Sequence, residues 1–233
     1  MKPTTIIQDR KEFQTLKIVR KALLICGILS ALLYVATVEL AAIRWEGYSS
    51  TSQTISELIA INAPTRPLVV PLFITYSLLV FAFGLGVWRS ADRNRALYFT
   101  AVGMVGKEVL GVVVTLFAPI HLRGIEGTLT DTMHGILTFI GVVFILLAIG
   151  SGATANGKRF RLYSIGTILI LILFGILAGM AGPRIAAGLP TPGMGIYERI
   201  NVYGYMLWVM VLAIILLRTE KGQGSIRKTE SLK

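Results

Sequence analysis

Long apolar stretches alternate with short polar segments along the whole chain. Six of these stretches are about 20 residues long, which is the length of helix that crosses the hydrocarbon core of a membrane. The pattern therefore predicts an all-α fold, an integral membrane bundle of six transmembrane helices within residues 22–218, with no separate soluble domain. The predicted spans are residues 22–43, 68–88, 96–118, 133–150, 162–182 and 202–218.

The composition agrees with a chain that meets lipid. Of the 233 residues, 54% are hydrophobic and 15% are charged, whereas soluble domains carry about 25% charged residues. The net charge of +11 is typical of nucleic-acid-binding proteins, but the positive charges gather in alternate polar segments. Membrane topology explains that distribution, so we predict no nucleic-acid partner.

The Lys and Arg residues predict the orientation. Seventeen of them lie in residues 1–21, 89–95, 151–161 and 218–233, five lie in the other polar segments, and Lys107 lies inside a span. Because cytoplasmic loops are enriched in Lys and Arg, we predict both termini in the cytoplasm (N-in/C-in). Residues 1–21 and 219–233 are then basic cytoplasmic segments of a multi-pass protein of the cell (plasma) membrane, typical of a bacterial inner membrane.

The predicted outer segments hold most of the groups that could perform chemistry. Asp131 and His134 are three residues apart at the start of the fourth span, so they share one face of a helix. Asp131 could orient the His134 imidazole for general-base catalysis, or it could simply stabilise the N-terminus of the helix. The candidate catalytic residues are His134, Asp131, Glu57 and Glu126.

A metal site is an alternative for the same segment. His121, His134 and a carboxylate such as Glu126 would form a ligand set that zinc accepts. No H-x-x-x-H or H-E-x-x-H spacing accompanies them. We therefore predict no metal and no cofactor.

Arginine residues lie close to each predicted outer boundary. Because an Arg side chain binds phosphate or carboxylate through two parallel hydrogen bonds, several of them could hold an anionic head group. Alternatively, they pair with Glu57, Glu126 and Glu198. The candidate ligand-binding residues are Arg66, Arg123, Arg184, Glu198 and Arg199.

Three ionisable residues, Glu39, Lys107 and Glu108, fall within the predicted spans. A charge at the centre of a bilayer costs about 2.5–3.5 kcal/mol on insertion scales, so it usually faces a partner or a hydrated cavity. We predict that Lys107 is shielded from lipid and lies near Glu39 or Glu108. Gly103 and Gly111 flank it by four residues, and they either admit a neighbouring helix or leave space around the ammonium.

Several segments resemble a known family. "TISELIAINAPTR", "HLRGIEGTLTDTMH", "GKRFRLYSIGTILI" and "LPTPGMGIYERINVYGYMLW" are similar to domain-of-unknown-function family 998, small six-helix membrane proteins of bacteria and archaea. The resemblance covers about residues 20–218 and implies no catalytic roles. More distantly, "ISEL" is similar to a segment of the Frag1 and DRAM-like proteins, some of which are associated with lipid remodelling.

Three classes of function remain open. The first, which the outer polar residues favour, is binding or processing of a lipid head group or small anionic amphiphile, with membrane lipids as partners. The second is a small proton-coupled transporter, and the third is a non-catalytic scaffold or accessory subunit. Whether the protein is an enzyme, and its oligomeric state, stay open at this level.

Overall fold

Six long helices and one short 3-10 helix make up the structure. A computed structural model describes the backbone of residues 3–125 and 127–230, and the side chains of residues 14–125, 127–185 and 187–219. Within these residues the fold is all-α, as predicted, and all six helices are long and apolar enough to cross a membrane. They are α1 (Pro3–Arg44), α2 (Arg66–Ala91), α3 (Arg95–Phe117), α4 (Leu129–Ala153), α5 (Gly157–Ala186) and α6 (Met194–Glu230), with the 3-10 helix at Ile55–Ile59.

The helices extend beyond the predicted spans at most of their ends. α6 begins at Met194 and α4 at Leu129, whereas the apolar pattern predicts starts at 202 and 133. Backbone hydrogen bonds within a helix are local, so a helix can continue through polar turns that a hydropathy pattern leaves out. Asp131 consequently lies in the first turn of α4, and Glu198 and Arg199 lie near the start of α6. The ends of the terminal segments, residues 1–2 and 231–233, lie outside the described residues.

The helices form a ring. Each helix packs against its neighbours in chain order, and α6 closes the ring against α1. Side chains from five helices meet in a fully buried core: Leu24, Phe83, Met104, Ile149 and Trp208. The Trp208 indole also donates a 2.9 Å hydrogen bond to Ser164 on α5, so the core ties α5 into the ring.

Glycine allows α3 and α4 to approach closely. A Cβ atom at Gly103 would lie 2.9 Å from the Ala148 nitrogen and the Phe144 oxygen, which belong to the backbone of α4. Backbone atoms cannot move aside as a flexible side chain can, so a larger residue at Gly103 would push the helices apart. Close helix packing, one of the two predicted roles of the glycines beside Lys107, therefore applies to Gly103.

The segment between α1 and α2 folds into the end of the ring. We call residues 45–65 the cap segment, and the end of the bundle where it lies together with residues 118–128 and 187–193 the loop end. Ile55, Leu58 and Ile59 of the 3-10 helix are buried and pack with Val38 and Val69 of α1 and α2. The cap segment is thus part of the core, and it carries polar residues into the bundle.

Local hydrogen bonds and a close contact with α6 position the cap segment. The Thr54 backbone donates to the Glu57 carboxylate at 2.6 Å, and the Glu57 backbone donates to the Thr54 hydroxyl at 3.2 Å, a capping box. On the other side, Gly195 of α6 donates to the Thr51 carbonyl at 3.0 Å. A Cβ atom at Gly195 would overlap the carbonyl oxygens of Ser50 and Gln53, so this contact requires glycine.

The predicted orientation places the loop end outside the cell. We expect a membrane-impermeant maleimide on intact cells to modify a cysteine introduced as Leu189→Cys, at the loop end, and to spare one introduced as Thr154→Cys, at the opposite end. Both positions are exposed, and the native Cys26, the chain's only cysteine, would be changed to Ser in both variants. Modification of the Thr154→Cys variant alone would show that the orientation is the opposite of the predicted one.

Candidate functional site

An ion pair between Glu57 and Arg123 joins the cap segment to residues 118–128. Arg123 Nε lies 2.7 Å from Glu57 Oε1, and Arg123 Nη2 lies 3.0 Å from Glu57 Oε2, the two-bond geometry typical of strong Arg–carboxylate pairs. The Glu57 side chain is 1% exposed. Arg123 also donates to the Ser52 carbonyl and the Thr191 hydroxyl, so it links all three segments of the loop end.

This ion pair shifts the pKa values of both partners. Burial by itself raises the pKa of Glu57, but hydrogen bonds from Arg123 and Thr54 stabilise the carboxylate, and the net pKa lies below the ordinary value. The hydrogen bond to Glu57 raises the pKa of Arg123. Both groups are therefore charged at neutral pH.

The other three candidate arginines also donate to acceptors of the protein itself. Arg199 donates to the carbonyls of Ser50, Gln53 and Gly195 and to the hydroxyls of Tyr48 and Ser50. Arg66 donates to the Ile59 carbonyl, and Arg184, which is exposed, donates to the Pro190 carbonyl. Of the expected pairs with Glu57, Glu126 and Glu198, the described residues show Arg123 with Glu57, whereas Arg66, Arg184 and Arg199 hold loop carbonyls instead.

Asp131 does not orient His134. Its carboxylate accepts hydrogen bonds from the backbone of His121 at 2.7 Å and from the backbone of Thr128 at 2.9 Å, and it lies 3.0 Å from His121 Nδ1. The expected Asp131–His134 contact is therefore wrong. The alternative is confirmed by these contacts, since Asp131 stabilises the first turn of α4 and fixes the preceding segment.

His134 is instead held between a backbone carbonyl and a serine. Its Nδ1 lies 2.8 Å from the Ala118 oxygen, and its Nε2 lies 3.1 Å from Ser56 Oγ. Because a carbonyl oxygen only accepts, Nδ1 must carry a proton. In the neutral ring Nε2 is then the acceptor, and the Ser56 hydroxyl donates to it. His134 is 7% exposed, so packing also holds this arrangement.

Lys107 pairs with the neighbouring Glu108. Lys107 Nζ lies 2.9 Å from Glu108 Oε2 and donates a 3.2 Å hydrogen bond to the Tyr76 hydroxyl, while Ser77 donates to the other Glu108 oxygen at 2.5 Å. The predicted proximity of Lys107 to a carboxylate is confirmed. Glu39, the other candidate, has different partners, since it accepts from Tyr203 and lies 3.8 Å from Arg199 Nε.

A cavity of about 120 Å³ extends from the cap segment to the Lys107–Glu108 pair. At about 30 Å³ per molecule, this is the volume of about four waters. Its ionisable residues are Lys107, Glu108, His134 and Glu198, and its aromatic residues are Tyr34, Phe73 and Tyr76. Apolar walls with a few converging polar groups are typical of ligand sites.

Two further residues shape this cavity. Glu198 accepts a 2.6 Å hydrogen bond from the Ile55 backbone, which joins α6 to the cap segment. Gly111 lines the cavity on α3, and the atoms nearest to a Cβ atom there would belong to the side chains of Glu108 and Lys107, at 3.5 Å or more. Gly111 therefore leaves space around the ammonium, the second of the two predicted roles of these glycines.

The candidate residues thus divide into two groups. His134, Glu198, Lys107 and Glu108 line the cavity, whereas Glu57, Asp131, Glu39 and the four arginines do not. Glu126 lies outside the described residues, and among the described ones no three His, Cys, Asp or Glu side chains are grouped to hold a metal. Sequence reasoning missed Ser56 and Tyr76, because nothing in the spacing indicates contacts with partners 78 and 31 residues away.

Loss of Arg123 should destabilise the fold. We expect Arg123→Ala to cost about 3 kcal/mol, since it leaves the buried Glu57 carboxylate without a cation, and to lower the thermal unfolding midpoint in detergent. The double variant Glu57→Gln/Arg123→Ala should recover part of that loss. Arg184→Ala is the matched control, and its change should stay within about 0.5 kcal/mol. Equal midpoints for Arg123→Ala and Arg184→Ala would contradict this prediction.

The depressed pKa of Glu57 also predicts a pH dependence. A carboxyl whose pKa is lower in the folded state contributes stability that is present above its unfolded pKa, about 4.3, and is lost as the pH falls through the folded pKa. We therefore expect the difference in unfolding midpoint between wild type and Glu57→Gln to be largest near pH 7 and to narrow below about pH 4. A constant difference across this range would argue against the assignment.

Comparison with known proteins identifies the family. No curated protein and no solved structure matches the chain. The family model described as "Protein of unknown function (DUF998)" matches residues 28–215, which include four whole spans, parts of the first and the last, and the cavity. The chain therefore belongs to the DUF998 family.

Proposed function

We propose that this multi-pass membrane protein binds an amphiphile at its loop end, with the polar head in the cavity. The observation that carries the proposal is the lining of that cavity, where the packed rings of Tyr34, Phe73 and Tyr76 lie alongside the polar side chains of Lys107, His134 and Glu198. A cavity with both apolar and polar walls suits a molecule that has both kinds of surface. Membrane lipids are the most abundant molecules of this type around the bundle.

The charges around the cavity favour a zwitterionic or uncharged head. The ammonium of Lys107 is balanced by Glu108 at 2.9 Å, and no other Lys or Arg is among the described residues that line the cavity. An anionic head would therefore find no unpaired cation among these described residues to compensate for the loss of its hydration. The arginines that would favour an anionic ligand already donate to loop carbonyls and to Glu57.

In this proposal the cavity opens toward the loop end and is closed toward the opposite end of the bundle. Beyond the Lys107–Glu108 pair, apolar side chains such as Leu24, Val87, Leu97 and Leu216 fill the described core. A transporter needs a polar path through both halves of the membrane, and these residues offer none. With the predicted orientation, the site would take molecules from the outer leaflet of the plasma membrane.

Matched substitutions at Gly111 test the proposal. Gly111→Ala places a methyl group in ordinary contact with Glu108 and Lys107, whereas Gly111→Leu would fill the cavity. The full chain in dodecyl maltoside would be titrated with lysophosphatidylethanolamine, which is zwitterionic, and with lysophosphatidylglycerol, which is anionic. The measurement is the thermal unfolding midpoint.

We expect lysophosphatidylethanolamine to stabilise wild type and Gly111→Ala, and to leave Gly111→Leu unchanged. Ligand at about 100 times its Kd adds about 2.7 kcal/mol, which corresponds to a rise of roughly 5 °C or more for a chain of this size. Equal stabilisation of Gly111→Leu, or no stabilisation of wild type by either lysolipid, would overturn the proposal. A larger effect of lysophosphatidylglycerol would overturn the assigned head-group class.

A further inference from the structure

One hydrogen-bonded chain in the cavity has the arrangement of an activated nucleophile. It runs from Ser56 Oγ to His134 Nε2 at 3.1 Å, and from His134 Nδ1 to the Ala118 carbonyl at 2.8 Å. A nucleophile, a base within hydrogen-bond reach and a third group that orients the base are the three parts of such a site. Here a backbone carbonyl takes the orienting position.

The orientation of the imidazole has a chemical consequence. The Ala118 carbonyl requires the proton on Nδ1, so the Nε2 lone pair faces the Ser56 hydroxyl and can accept its proton. Both Ser56 and His134 line the cavity. A molecule held there would therefore have access to the serine oxygen.

We propose that Ser56 is the nucleophile and His134 the general base of an acyl-transfer reaction on an ester-containing amphiphile. This inference rests on the proposed function, because the cavity must bind that amphiphile. Lys107 also lines the cavity. Its ammonium has three N–H donors, of which Glu108 and Tyr76 take two, and the third is the donor available to a developing oxyanion. Ala118 acts as a positioning residue through its carbonyl.

The reaction balances without a further cofactor. Ser56 Oγ attacks the ester carbonyl carbon while its proton moves to His134 Nε2. The tetrahedral intermediate collapses, the bond to the alcohol breaks, and the alcohol leaves with the proton from His134. Water or a second alcohol then attacks the acyl-serine, and its proton passes through His134 to Ser56 Oγ as that ester breaks.

The two hydrogen bonds could instead serve only to fasten the cap segment to α4. A structural bond of this kind would give the serine no unusual reactivity. Diisopropyl fluorophosphate distinguishes the two cases, because an activated serine forms a bond to its phosphorus, releases fluoride and passes its proton to the base. The experiment treats the purified full chain with this reagent and locates the modified residue by mass spectrometry.

We expect labelling of Ser56 in wild type and in Ser52→Ala, a control on the same cap segment, and none at this position in Ser56→Ala. His134→Gln should slow labelling about 100-fold or more, since loss of a general base costs that much. The wild-type rate should rise with pH along one ionisation, and this dependence should disappear in His134→Gln. An unlabelled wild type, or equal rates in wild type and His134→Gln, would overturn the inference.

If Ser56→Ala or His134→Gln unfolds, a cysteine variant at position 56 provides a second test of its reactivity. In a Cys26→Ser background, Ser56→Cys retains the hydrogen-bonding group and should react with iodoacetamide faster at pH 7 than the Leu189→Cys variant, since a neighbouring imidazole promotes thiolate formation. Equal rates would refute the activation of this position.

The outcomes separate this inference from the proposed function. Stabilisation of Ser56→Ala by lysophosphatidylethanolamine, together with an unlabelled wild type, would leave binding intact and remove the catalytic role. Labelling of Ser56 without any lysolipid stabilisation of wild type would overturn the binding proposal and leave an activated serine whose substrate is of another class.

Discussion

The ion pair between Glu57 and Arg123 is the interaction on which the arrangement of the loop end depends. A carboxylate that is 1% exposed is unfavourable unless a cation and hydrogen-bond donors surround it. Arg123 supplies the cation and also bonds Ser52 and Thr191, so three separate segments meet at one guanidinium. The cap segment is thereby held inside the ring, and Ser56 and Ile55 reach His134 and Glu198.

The polar residues of the bundle have two different relationships to their surroundings. The four arginines, Glu57 and Asp131 bond acceptors or donors of the protein, and these bonds account for their positions. Lys107, His134 and Glu198 also have protein partners, but they face a cavity. Polar groups within a membrane bundle usually face a partner or a hydrated cavity. Lys107, His134 and Glu198 have both a partner and a cavity.

The two glycines near Lys107 have different roles, close helix packing for one and open space beside the ammonium for the other. Gly103 allows the backbones of α3 and α4 to meet, and Gly111 keeps the volume next to the ammonium empty. They lie eight residues apart on the same helix. Close packing therefore holds the bundle together on one side of Lys107, while open space remains on the other side, where a ligand would lie.

Apolar run length by itself determined the six spans, because a helix must be about 20 residues long to cross a bilayer, whatever it packs against. The capping box of Thr54 and Glu57 is also local, since its partners are three residues apart. Hydrogen-bond partners distant in the chain were decided only by the tertiary structure. Asp131 bonds His121 rather than His134, and His134 bonds Ser56, which is 78 residues away in the chain. Helical periodicity places residues on a face, but the packing of helices and loops decides which neighbour that face meets.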